Sequence, residues 1–406
     1  MVKKSLLSAS LSLFLSSILL LTFCSTAPVH AAASWNVQTV DTRVAGVGNG
    51  YCPIVVDSNN MPSIAYTDRN MQDGLSVMYA RWNSSYAGLI TQRIAPGYAT
   101  DMILDAHDNP NILYRVIRGG LWYASWTGLN WTIQTVDTTT PVYAALALDS
   151  HDNPHAAYST GQTLKYASRS GSTWTIEIVD NGTDIPIHLS LALDSNDKPY
   201  ILYSNQDWKL ATLENSGWNI QNVPLPAYSY PDALVSVGNM VLDSTGHPHL
   251  IYSIGSAGGD DTIKYARWNG FYWETQTVAS GLNLEYIGNL GFLALDSLDY
   301  PHISYVISGF QLMYAGWTGV DWSIQTVDSV GARSPVYLAV DSNRIPHISV
   351  RTGSTGLQPM HLMYATASEP VPLASPLLIT LPLLLVLTAV VIGAAVFVVY
   401  LWKKKT

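Results

Sequence analysis

Seven aspartates are the residues most suited to chemistry by type and spacing. Asp57, Asp105, Asp149, Asp194, Asp243, Asp296 and Asp341 recur at intervals of 48, 44, 45, 49, 53 and 45 residues, in lines such as LALDSHDNPHAAY and LALDSLDYPHISY. A carboxylate can act as a general acid or base, ligate a metal, or accept the hydrogen bonds that close a turn. Catalysis needs groups that converge on one site, and seven equivalent copies do not provide that. The pairs Asp105/Asp108 and Asp149/Asp152 have a spacing that could touch Ca²⁺, but they lack the dense series of oxygen ligands that calcium loops use. His155, His249, His302 and His347 each follow a proline in a different repeat, so they do not converge on zinc. The sequence therefore predicts no metal, no cofactor and a turn-forming role for all seven aspartates. Their side chains would accept from backbone N–H groups two residues on.

Those turns require strands on either side. A proline stands five residues after each aspartate, at Pro62, Pro110, Pro154, Pro199, Pro248, Pro301 and Pro346, where its fixed φ suits the start of a strand. Four residues further come Tyr66, Tyr114, Tyr158, Tyr203, Tyr252 and Tyr305, with Val350 as the departure. An aliphatic run such as Leu146-Ala147-Leu148 precedes the aspartate and suits a strand covered on both faces. Segments such as HISYVI, LMYA and WSIQTV follow it, each short and rich in β-branched or aromatic residues. Four strands in about 45 residues is the size of a propeller blade.

The last strand of the repeat begins at Trp131, Trp174, Trp218, Trp273 and Trp322, and with Leu89 in the Trp place. The seventh copy is missing after HLMYATAS. It stands instead at SWNVQTVDT, where Trp35 aligns with the Trp131 of NWTIQTVDT. An all-β, seven-bladed β-propeller closed by its N-terminal strand is the expected fold, since hydrogen-bonding the two ends removes an open edge.

Composition agrees with an ordered chain: 48% of residues are hydrophobic, 12% charged, and 13 Trp and 24 Tyr are present. Lys3 and Lys4, the apolar run Leu6–Phe23 and the small residues of VHAAAS have the layout of a signal peptide over 1–33, with Cys24 inside it and Cys52 as the one mature cysteine. The propeller would occupy 34–367 and a stalk 368–376. The uncharged run 377–402 is long enough to span a bilayer, and Lys403, Lys404 and Lys405 place the tail 403–406 on the cytoplasmic side. Two of the 20 Lys and Arg lie before residue 33 and three after 402, leaving 15 against 29 acidic residues, about −14. An acidic ectodomain without basic clusters argues against nucleic acid as a partner.

The turns Gly128-x-x-Trp131, Gly270-x-x-Trp273 and Gly319-x-x-Trp322 resemble the Asp-box of sialidase-like propellers, S-x-D-x-G-x-T-W. Gly and Trp are kept, while Trp126, Trp268, Trp317 or Arg169 takes the Asp position. The resemblance implies a glycan-cleaving alternative with an arginine triad and a Tyr/Glu pair. Arg43, Arg69, Arg115, Arg118, Arg333 and Arg351 do not form a recognisable triad, and only five Glu are present. A surface-interaction module for a glycan or protein ligand is the favoured reading. A structural envelope component is a further alternative. Tyr51, Tyr98, Tyr143, His188, Tyr230, Tyr286 and Tyr337 fall near the starts of the innermost strands and would line a ligand-binding mouth. Sequons at Asn83, Asn130 and Asn181 lie at or near the outer turns.

Overall fold

The computed structural model describes residues 34–44, 50–70, 74–83, 88–182, 187–205, 207–225, 233–256, 261–284, 291–328, 331–353 and 360–373. The leader 1–33, the apolar run 377–402 and the tail 403–406 lie outside the described residues. Among the described residues no helix is long and apolar enough to cross a membrane.

All described secondary structure is β, in strands that group by fours into seven blades. Blade II shows the pattern. Its inner strand Tyr98–Leu104 pairs with the second, Pro110–Val116, which pairs with the third, Gly120–Trp126, and that with the outer, Trp131–Asp137, all antiparallel. Blade I (54–96) precedes it, and blades III (144–181), IV (187–222), V (233–282) and VI (292–328) follow. Blade VII joins Ala332–Val340, Pro346–Thr352 and Met360–Ala367 to the N-terminal strand Trp35–Val44. Closure therefore occurs as the repeat count predicts. The register Trp35↔Ala367 and Gln38↔Tyr364 reproduces Trp131↔Trp126 and Gln134↔Tyr123. Ser368 N–H donates to the Ser34 carbonyl at 2.8 Å, and a single bridge, Val44↔Asp68, links blade VII to blade I.

Burial explains why the repeat is so regular. The second strand of blade VI, Pro301–Ile307, is buried along nearly its whole length, and Tyr66, Tyr158, Tyr203 and Tyr305 are all below 2% exposed. A buried phenol must place its O–H. Tyr66, Tyr158 and Tyr203 donate to Asp41, Asp137 and Asp180 of the preceding blade at 2.7, 2.8 and 2.6 Å. Where Ala279 stands at that register, the Tyr305 hydroxyl has no partner among the described residues. The aspartate ending the QTVD segment is thus an inter-blade acceptor.

At one end of every blade the seven repeated aspartates build a ring of turns. Each accepts through Oδ1 from the N–H groups two and four residues on: Asn59 and Met61 for Asp57, His107 and Asn109 for Asp105, Leu298 and Tyr300 for Asp296. The residue three after it is left-handed in every copy: Asn60, Asp108, Asp152, Asp197, Gly246, Asp299 and Arg344. Turns also bind their neighbours. Ser58 donates its N–H and O–H to Asp108, Ser150 to Asp197, and Ser244 to Asp299. Antiparallel order puts these inner turns and the third-to-outer hairpins at the same end of the blades, here called the turn face. The loop face is opposite.

Candidate functional site

On the loop face the expected mouth residues mostly pack against one another. Tyr337 is 6% exposed between Phe292, at 4.8 Å, and Tyr51, at 6.4 Å, so its ring belongs to the core and offers no open face. Tyr98 lies under the Arg115 guanidinium at 5.3 Å. Tyr143 of blade III stacks on His188 of blade IV at 6.3 Å, and His188 meets Trp208 at 5.8 Å. Burial pulls the His188 imidazole down to about 4, which leaves it neutral at physiological pH. Tyr230 and Tyr286 lie outside the described residues.

The histidines that open the second strands form polar relays with aspartates of the turns and tyrosines of the third strands. His302 Nδ1 hydrogen-bonds with Tyr314 Oη, while His302 Nε2 lies 3.2 Å from Asp296 Oδ2. His155/Tyr166, His249/Tyr265 and His347/Tyr364 repeat the arrangement. Burial depresses all four imidazoles, and it opposes the charge on Asp296. That charge survives because His302, the Arg344 guanidinium and the Tyr300 and Leu298 N–H groups all donate to it, holding the carboxyl well below its usual range. Asp149, His151 and Asp197 do converge, within 4.8 Å. Their acceptor atoms already serve the turn, since Asp149 takes Asn153 and His151 N–H, and Asp197 takes Ser150. Arg115 and Arg118 belong to blade II and Arg333 and Arg351 to blade VII, and the Arg43 and Arg69 side chains lie outside the described residues.

Open clefts lie at two equivalent places between blades on the turn face. The first, about 220 Å³, lies between blades I and II. Ser63, Tyr79, Arg81 and Gln92 line it from one side and Asp108, Asn109, Trp126 and Trp131 from the other. A second, about 300 Å³, lies between blades IV and V, with Tyr200, Thr212, Glu214 and Gln221 facing His247, Trp268 and Trp273. Strand register makes Gln92 equivalent to Gln221, Trp126 to Trp268 and Trp131 to Trp273. The two Trp rings of each cleft meet edge to face, at 5.5 and 5.9 Å.

One repeated position faces such slots from the outer strand of the preceding blade. Gln38, Gln92, Gln134, Glu177, Gln221, Gln276 and Gln325 occupy the same register in seven outer strands. Trp35 Nε1–H donates to Gln325 at 3.0 Å and Trp218 Nε1–H to Glu177 at 3.2 Å, each across a blade boundary. Trp131, Trp174 and Trp322 Nε1 are buried without a hydrogen-bond partner among the described residues, Trp131 beside Gln92 in the first cleft. Between blades II and III, Arg169 replaces the first Trp and takes Gln134 at 3.4 Å while lying over the Tyr123 ring. The repeated IQTV carried this signal in the sequence, but only the structure shows that the glutamine faces the next blade's indole.

No family model matches the sequence, and no curated protein matches it. The fold is similar to solved propellers. These include the Cps50 (Swd1) β-propeller domain of Myceliophteria thermophila, at 8% identity and TM-score 0.52 over 82% of this chain and 99% of that one. A virginiamycin B lyase from Staphylococcus aureus with quinupristin gives 9%, 0.52, 82% and 99%. AofleA from Arthrobotrys oligospora gives 11%, 0.50, 73% and 91%. At such identities the likeness is one of fold alone. The chain is a seven-bladed β-propeller with paired aromatic clefts on its turn face.

Proposed function

We propose that this protein is a membrane-anchored extracytoplasmic propeller that binds neutral saccharides in its inter-blade clefts. The carrying observation is the repetition of one cleft at two equivalent boundaries, each with two indoles and a glutamine. A sugar ring presents C–H groups on its faces and hydroxyls around its rim. Indoles complement the first, and amide, guanidinium and carboxylate groups the second. Arg81, Gln92, Asp108 and Asn109 supply both donors and acceptors around the first cleft. The anchor and orientation rest on the leader 1–33, the apolar run 377–402 and Lys403–Lys405. Two equivalent sites strengthen attachment to a surface that carries many copies of the ligand.

A second reading has its own observation. Val371 of the C-terminal segment is 3% exposed and packs into the boundary between blades VI and VII. An extended peptide with an apolar side chain is therefore the alternative ligand. An array carrying both neutral oligosaccharides and peptides, probed with the full chain in nanodiscs, separates the two. Saccharide binding should weaken tenfold or more in the Trp126→Ala and Trp268→Ala variants, on the scale of a lost aromatic anchor. Peptide-only binding would select the second reading, and saccharide binding indifferent to both Trp would remove the clefts from the account.

A further inference from the structure

Val371 also determines how far the propeller stands from the C-terminal apolar run. The third strand of blade VII ends at Ala367 on the turn face, and Val371 then packs with Tyr314 and Val327 of blade VI. The fit is close, since a Cβ on Gly316 would lie 2.5 Å from Val371 Cγ2. Only residues 372–376 separate that pinned side chain from Leu377, where the uncharged run begins. Six Cα–Cα steps of at most about 3.6 Å span about 20 Å. The turn face is held within that distance of the segment read as the membrane span.

Apolar tips project from the same face. Leu129, Phe271, Tyr272 and Val320 are 80, 88, 61 and 53% exposed, in the third-to-outer hairpins of blades II, V and VI. Gly128, Gly270 and Gly319, at φ between +88° and +98°, turn the chain just before them and aim them outward. Leu298, at 50%, extends the patch from the inner turn of blade VI. Leaving large apolar groups in water forfeits about 25 cal/mol for each Å² left uncovered, and aromatic and aliphatic tips on turns suit the headgroup zone of a bilayer.

We infer that the turn face is a lipid-docking surface, with Leu129, Phe271, Tyr272 and Val320 entering the headgroup zone of the bilayer that holds the chain's own apolar run. The inference rests on the anchored reading above. An ectodomain charge of about −14, with the acidic turn ring on this face, makes the partner a net-neutral leaflet and not an anionic one. The same geometry turns the clefts toward the leaflet, so sugars carried on lipid headgroups are the saccharides within their reach.

The test uses the full chain in phosphatidylcholine nanodiscs, with Cys24→Ser and an environment-sensitive fluorophore on a single introduced cysteine. Cys52 is fully buried, and burial pushes its thiol up to about 11, so it does not compete for the label. Phe271→Cys and Val320→Cys probe the turn face, and Ile117→Cys, 60% exposed in a second-to-third hairpin, probes the loop face. Nitroxide-headgroup lipid should quench the first two labels at least twofold and leave the third unchanged. Equal quenching at all three positions overturns the docking surface. Flotation of the same samples with lipid reports the anchor separately. A chain that floats with unquenched tips is anchored but not docked, and one that does not float defeats both readings.

Discussion

The boundary between blades VI and VII and the boundary between blades I and II share one skeleton and end differently. Tyr314, Gln325 and Trp35 in the first match Tyr79, Gln92 and Trp131 in the second, and the edge-to-face contacts Trp35–Tyr314 and Tyr79–Trp131 are 5.2 and 5.5 Å. In the first boundary the chain supplies its own occupant. Gly316 stands where Arg81 stands in the other and Ala367 where Trp126 stands, Val371 fills the space, and the Trp35 indole is satisfied by Gln325. In the second, Arg81 and Trp126 flank an open cleft and the Trp131 indole N–H has no acceptor among the described residues. Two side chains at the rim thus set whether such a boundary is filled by the chain itself or left open, with the strands unchanged.

The largest effect should come from breaking the sealed boundary at its source. Deleting residues 34–41 removes Trp35 and most of the closing strand, and should lower Tm by about 10 °C or more, or abolish a cooperative transition altogether. Calorimetry that shows an unchanged transition would contradict closure. Next in size is a contrast between the two aspartates. Asp296, with no exposed side-chain surface, accepts from His302 and from Arg344 at 2.5 Å in addition to its turn bonds, whereas Asp57 accepts from the backbone of its own turn. Asp296→Ala should cost about 3–5 kcal/mol, as when a buried pair loses one member, and Asp57→Ala about 1. Urea midpoints compare them directly, and equal costs would mean that the relay adds nothing.

Gly316→Ala should cost about 1–3 kcal/mol by overpacking against Val371, while Arg81→Ala in the open boundary should stay within about 0.5. A neutral Gly316→Ala would show that Val371 yields freely. The smallest effect concerns pH. Asp101, on the inner strand of blade II, accepts from the Leu146 and Met102 N–H groups, but burial outweighs them and pushes its carboxyl up to about 6. A native carboxyl that holds its proton more tightly than the unfolded one, near 3.8, adds stability as pH falls from above 6 toward 4. Asp296, depressed in the folded chain, works in the opposite sense and loses its contribution as pH falls below the ordinary carboxylate range. Asp101→Asn should remove the gain between pH 7.5 and 5 in urea titrations, and an undiminished gain would assign it elsewhere.

Much of this architecture is legible in the sequence. Period, strand count and the displaced WNVQTV segment imply seven blades and their closure, because each is a one-dimensional pattern set by local preference and repeat length. The turn role of the aspartates also follows from the chain alone, since every bond involved spans two to four residues. Inter-blade relations were not legible. Nothing local says that Tyr158 reaches Asp137, that Gln325 meets Trp35, or that Tyr337 turns into the core, because those partners lie about 20 to 300 residues apart or are chosen by burial. Tertiary structure alone decided that the open clefts lie on the turn face, because their walls come from two blades at once. What the sequence determined is the ring and its turns, through short-range geometry repeated seven times. What only the folded ring decided is that the boundaries between blades I and II and between IV and V are open while Val371 fills the one between VI and VII, through the side chains that neighbouring blades bring together.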